Sequence, residues 1–320
     1  MTPDDAIIRK KRPNANGAVH VCAAGRGGPK SEMKRNIRIL TLAVLLPLPL
    51  ATNGMAADDA AQPAPVRDLS ALDAQLQAVA TASDCVAVSQ LGQVRYGDFA
   101  APIWRVTFAP QRPARHRVLL TGGVHGDEPA GTAALLRFIT GLGDAPDRYP
   151  AIAFDIVPLV NPWGWVNDKR RNGQNLDINR DFGSFAAQEA AIMRDAIRGK
   201  VYDLIVDLHE DDSAAGFYLY QIANADDALS RRVIARQRSA GHPIEQNVRM
   251  IIFKTRDGVI RIPRWGLPLA RIARQLSMTN YFRLVKQPQV YLLETPSRRP
   301  LAERVAMHLA ALEVLLEDLR

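Results

Sequence analysis

Two spacings of apolar residues alternate along this chain. "RDLSALDAQLQAVATAS" repeats its apolar positions every three to four residues, which predicts a helix over 68–82. "APIWRVTFAP" (101–110) alternates apolar with polar like a strand and runs into the basic turn "QRPARHR". "VLLTGGV" (118–124) is an unbroken apolar run, as expected of a strand buried on both faces. "PAGTAALLRFIT" (129–140) then reads as a helix, and the same grammar continues downstream. Strands are predicted at 152–162, 202–210 and 289–296, with helices at 185–199, 228–240 and 301–319. Strands alternating with helices predict an α/β fold. It would be a single domain with a mixed, mainly parallel sheet flanked by helices on both faces.

In such sheets, chemistry gathers where the strands end at their carboxyl edge. The polar residues just past the apolar runs are "HGDE" (125–128), "NP" (161–162), "HEDD" (209–212) and "ETP" (294–296). A hydrolytic zinc ion takes three protein ligands of imidazole and carboxylate type and leaves a position for water. His125, Glu128 and His209 supply that set, whereas His116, His242 and His308 read as ordinary histidines. Between the ligand stretches, "NPWGWVNDKRRNGQNLDINRDFGSF" (161–185) is polar and rich in Gly and Asn, which predicts an exposed loop beside the site.

Charge narrows the partners. The formal net charge is +8, but residues 1–56 hold nine Lys or Arg against three Asp or Glu, a surplus of six. The remainder is therefore near +2, and a nucleic-acid partner loses its main support. The basic head also has another explanation. From Met33 the chain shows Lys34, Arg35 and Arg38, an apolar run from Ile39 to Ala51, and small residues before Ala57. That is the pattern of a cleaved export signal over 33–56, too short to span a bilayer comfortably. The expected organisation is an upstream or disordered segment at 1–32, the signal at 33–56, a disordered Ala/Asp/Pro-rich start at 57–67, and a catalytic domain at 68–320. The mature protein would be periplasmic or secreted, with no stable membrane insertion. Of the two cysteines only Cys85 would survive cleavage, so no intrachain disulfide is expected.

H-x-x-E, then R-x-N-x-x-x-x-D-x-N-R, then a single His, then Glu near a strand end resembles the M14 zinc carboxypeptidase family. "DLHED", "GFYLY" and "ETPS" look most like a compact bacterial branch near the succinylglutamate desuccinylase/aspartoacylase members. The resemblance covers residues 95–320 and implies a zinc carboxypeptidase-like fold with one zinc per chain on His125, Glu128 and His209. It implies that Arg170 polarises the scissile carbonyl and that Glu294 is general base and then acid. Arg171, Asn179 and Arg180 would meet the substrate, the last two gripping its carboxylate, and Asp177 would back a liganding imidazole. Tyr281 is the loose counterpart of the family's active-site Tyr, or else a packing residue. "HED" departs from the "HS" of the digestive members. The substrate implied is a peptide or an acyl amino acid with a free carboxylate. Three readings follow: a metallocarboxypeptidase acting on peptides, some of them derived from the cell wall; an amidohydrolase deacylating N-acyl amino acids; and a binding module that keeps the site without turnover.

Overall fold

The computed structural model describes residues 67–222, 227–250, 253–263, 265, 267–268, 276–285 and 287–320. The expected leader and signal, and residues 57–66 of the expected disordered start, lie outside the described residues. Arg67, assigned to that start, is held in place. Its guanidinium reaches the carbonyl of Gly126, pairs with Asp168 at 2.6 Å and lies over the Trp165 ring.

Ten strands and seven helices are assigned among the described residues. The helices are α1 (Leu69–Ala82), α2 (Pro129–Asp144), α3 (Pro162–Asn167), α4 (Gln188–Ile197), α5 (Asp227–Ser239), α6 (Met278–Leu284) and α7 (Leu301–Glu317). The strands are β1 (Val86–Tyr96), β2 (Phe99–Phe108), β3 (His116–Gly122), β4 (Ile152–Val157), β5 (Leu204–Asp211), β6 (Tyr218–Ile222), β7 (Arg249–Met250), β8 (Phe253–Lys254), β9 (Val259–Ile262) and β10 (Val290–Pro296). Eight of the strands form one sheet in the order β1-β2-β4-β3-β5-β10-β6-β9. Its centre, β4-β3-β5-β10, is parallel, while β1, β2 and β6 join antiparallel. The expected mixed, mainly parallel sheet is therefore present.

Two apolar layers explain why the sheet sits where it does. On one face Leu72, Leu76, Leu135, Ile139, Val233, Met307 and Leu315 of α1, α2, α5 and α7 pack on the sheet. On the other, Met193 and Ile197 of α4, Phe282 of α6 and the segment carrying Ile178 and Phe182 cover it. Strands β3, β5 and β10 are buried on both faces, which is why they read as continuous apolar runs. The segment 161–185 departs from the expected exposed loop. Asn161 caps α3 by accepting from Gly164 N at 2.8 Å, a short 3-10 turn spans Ile178–Arg180, and Asn172 and Asn179 are buried. Asn161, Asn172 and Asn179 turn inward and bond the backbone of a folded segment, while 166–171, 174 and 175 stay exposed.

Candidate metal centre

The turn after β3 is shaped by close backbone approach. Gly123 has φ +61°, and a Cβ there would strike Leu159 and Thr132. A Cβ on Gly126 would lie 1.9 Å from the carbonyl carbon of Gly164, so the turn and α3 stand back to back. Val160 N and Asn161 N donate to Gly122 O and Gly123 O, fixing the next segment to the same turn. The result is that His125 and Glu128 are presented rigidly over the carboxyl ends of β3 and β5.

His125, Glu128 and His209 are all buried, and one ligand atom from each lies within 4.8 Å of the others. Glu128 is the hub: Oε1 is 2.6 Å from His125 Nδ1 and Oε2 is 2.8 Å from His209 Nδ1. The opposite nitrogen of each ring meets a carboxylate. His125 Nε2 is 3.2 Å from Asp177 Oδ1, and His209 Nε2 is 3.0 Å from Asp207 Oδ2. In the metal-loaded site those carboxylates would hold a proton on each Nε2 and leave each Nδ1 lone pair for the ion. Two imidazoles and one carboxylate so arranged fit a zinc-type ion. Asp207 was not found from the motifs, although D-x-H on a strand places both side chains on one face. It is itself fully paired, accepting also from Thr121 Oγ1 at 2.7 Å.

The electrostatics agree with a site built for a cation. Burial favours neutral Glu128, but the two imidazoles outweigh it and hold the carboxyl well below its usual range. Burial likewise opposes charge on His209, while Asp207 and Glu128 overcome it and raise its proton affinity. Asp177 is held low despite partial burial, through His125 and the guanidinium of Arg170.

Glu294 stands beside His209 in the register of the parallel β5–β10 ladder. Its Oε2 is buried without a hydrogen-bond partner. Burial raises its pKa well above the ordinary carboxylate range, with His209 opposing and Glu128 and Asp211 adding to the rise. Arg170 reaches the same cluster, with Nη1 3.1 Å from Glu128 Oε1 and Nε 3.3 Å from Asp177 Oδ2. Asn179 is buried, its Nδ2 3.5 Å from His209 Nε2 and its Oδ1 accepting from Met278 N at 3.0 Å. Only its amide nitrogen is left toward the site. Arg180, half-buried, donates to Asn179 O, and its charge reaches Asp177 and Tyr220.

Two of the expected residues make their contacts elsewhere. Arg171 is exposed and donates to Asn175 O at 2.9 Å, closing its own loop, and no contact ties it to the cluster. Adjacent residues on this tight loop diverge, so only one of the two arginines turns inward. Tyr281 packs in an aromatic group with Phe182 and Phe185 at ring separations of 5.7 and 5.3 Å. The loop that carries Arg170 and Asp177 is pinned from behind by residues the motifs did not reveal. Asn172 Nδ2 donates to Glu189 Oε2 at 2.8 Å, and Tyr96 OH donates to Glu189 Oε1 at 2.6 Å.

Over residues 114–251 the chain matches the succinylglutamate desuccinylase/aspartoacylase catalytic domain. Carboxypeptidase SOL1 of Arabidopsis thaliana is 32% identical over 109 residues, which are 31% of this chain and 22% of that protein. The chain thus matches only a minor part of that longer relative. A provisionally assigned metallopeptidase of Shewanella denitrificans OS217 has a similar structure, with a TM-score of 0.65 at 21% identity over 79% of this chain and 90% of that one. Carboxypeptidase A of Helicoverpa armigera gives 0.58 at 15% identity over 78% and 73%. The fold is that of the zinc carboxypeptidases, and the resemblance carried by the motifs extends to both groups.

Proposed function

We propose that this chain is a zinc-dependent metallocarboxypeptidase of the export pathway, hydrolysing the C-terminal peptide bond of peptides, including peptides derived from the cell wall. The observation that carries this reading is the side-by-side placement of Glu294 and the His125/Glu128/His209 cluster on neighbouring parallel strands. One zinc per chain would be held by those three side chains. When bound, it would lower the pKa of a water to about 7 and polarise the scissile carbonyl.

The chain's own residues then divide the work. Glu294, whose free oxygen has no internal partner, takes the proton of the attacking water and passes it to the leaving nitrogen. Arg170 offers a guanidinium to the developing oxyanion, a contribution worth roughly 10²–10³ in kcat for a single donor. Arg180 receives the substrate carboxylate, for which a planar two-pronged donor is suited, with the Asn179 amide beside it. Asp177 and Asp207 hold the two imidazoles in the tautomer that ligation needs.

A second reading has its own support: the match over 114–251 is to the desuccinylase/aspartoacylase catalytic domain. The same residues would then release an acyl group from an N-acyl amino acid, again gripping a free carboxylate. A panel of C-terminally free peptides, their C-terminal amides and N-acyl amino acids, assayed before and after chelation, separates the two. Free peptides should be cleaved and their amides spared. Cleavage of N-acyl amino acids alone overturns the peptidase reading, and a protein without zinc or hydrolysis overturns both. The signal read at Met33 would direct the mature enzyme to the periplasm or outside the cell. Among the described residues no helix is long and apolar enough to cross a membrane.

A further inference from the structure

Strand alternation puts His209 and Glu210 on opposite faces of β5. Across the ladder His209 pairs with Glu294 and Glu210 with Thr295, so one face carries the site and the reverse face carries Glu210 and Thr295. Helix α7 presses two polar side chains against that reverse face. Arg304 pairs with Glu210 Oε2, and one turn later His308 Nε2 lies 3.3 Å from Thr295 Oγ1.

Glu210 touches both ligand-bearing segments. Its backbone N donates to Glu128 Oε2 at 3.0 Å. Its Oε1 accepts from Ala130 N in the first turn of α2, two residues after Glu128. The Glu210 side chain is fully buried and that of Arg304 is 11% exposed, so each needs the other as counter-charge. We infer that Glu210 and Arg304 are positioning residues of the metal centre: the carboxylate locks the start of α2 to the end of β5 and so sets the separation of Glu128 from His209. This rests on the reading of His125, Glu128 and His209 as metal ligands. Metal ligation tolerates only about 0.2 Å of misplacement, and loss of outer support typically weakens binding about 10–100-fold.

The test is the zinc Kd, measured by competition with a chromophoric chelator at a temperature where circular dichroism shows each metal-free protein folded. Glu210→Leu combined with Arg304→Met leaves no unpaired buried charge and should fold. It should weaken zinc binding about 10–100-fold. Arg304→Lys keeps the counter-charge and should stay within about threefold of the parent. Asp155→Asn supplies the control for simple destabilisation. It removes the charge from the carboxylate that accepts from the Tyr202 hydroxyl at 2.6 Å and pairs with Lys200 at 3.4 Å, away from the metal cluster. It should lower Tm while leaving the zinc Kd within about threefold. The inference is overturned if the double variant keeps the parent's Kd, or if Asp155→Asn weakens zinc as much. A parent that binds zinc while the double variant is unaffected leaves the site intact and removes only this inference. A parent that binds no zinc overturns both.

Discussion

One carboxylate oxygen of Glu294 is buried with no hydrogen-bond partner, so the ionised side chain is held in the fold at a cost. Its pKa is raised by burial and by Glu128 and Asp211. A carboxyl whose folded pKa is raised stabilises the fold below its unfolded pKa of about 4.3, and that contribution is lost as pH rises through the folded value. Glu294→Gln should therefore raise the Tm of the metal-free protein at pH 7. The advantage should vanish near pH 4, where the parent carboxyl is also neutral. The same substitution should lower kcat by about 10²–10⁴ with zinc content unchanged. Thermal melts at the two pH values read the first effect, and an unchanged Tm at pH 7 would refute the burial argument. For Arg170, replacement by Ala should cost roughly 10²–10³ in kcat, and Lys should restore part of it, since charge matters more than fork geometry for an oxyanion. A loss confined to KM would instead assign Arg170 to ground-state binding.

Elements place these residues, and their faults should be correspondingly local. On β5, Asp207 accepts from the Nε2 proton of His209 and from Thr121. Asp207→Asn can present an amide N–H to the imidazole, which moves the ring proton to Nδ1 and removes the lone pair that faces Glu128. Zinc affinity should fall about 10–100-fold, and an unchanged Kd would show that Asp207 does not set the tautomer. At the β3 turn, Gly126→Ala sets a methyl carbon 1.9 Å from the backbone of Gly164. No rotamer relieves a backbone contact, so the turn or α3 must move, at about 1–3 kcal/mol or more. Urea denaturation and zinc content should both register it. The longer helices α1, α2, α4, α5 and α7 and the buried strands were legible from periodicity because burial imposes it, whereas α3 and α6, of six and seven residues, were not. By contrast, β1, β6 and β9 were not. β1 reads "VAVSQLGQVRY", with a register shift between Gln90 and Gly92, and its polar and apolar positions do not alternate cleanly. The three residues of the turn Ile178–Arg180 are too few to show a period at all.

For the molecule as a whole, metal binding and folding should be linked, because His125, Glu128 and His209 come from the β3 turn and from β5, which only the native sheet brings together. Zinc at about 100 times its Kd would stabilise the fold by about 2.7 kcal/mol. Chelation should therefore lower Tm, and added zinc should restore it in a concentration-dependent way. A Tm indifferent to zinc would argue against the site. The same long-range dependence governs the support behind it. Residues 210 and 304 are far apart in sequence, and only the packing of α7 on the sheet makes them partners.

The sequence by itself determined the α/β class, the carboxyl-edge location of the chemistry and the residues His125, Glu128, His209 and Glu294. It could do so because buried strands must be apolar, which exposes the polar residues at their carboxyl ends, and because the motifs there resemble those of the zinc carboxypeptidases. Only the tertiary structure decided which arginine of the pair at 170 and 171 faces the cluster and that Tyr281 belongs to an aromatic group. It alone showed that the segment 161–185 is folded, and that Asp207, Glu210 and Arg304 stand behind the ligands. Those choices depend on side-chain direction and on contacts between distant segments, and periodicity along one chain encodes neither.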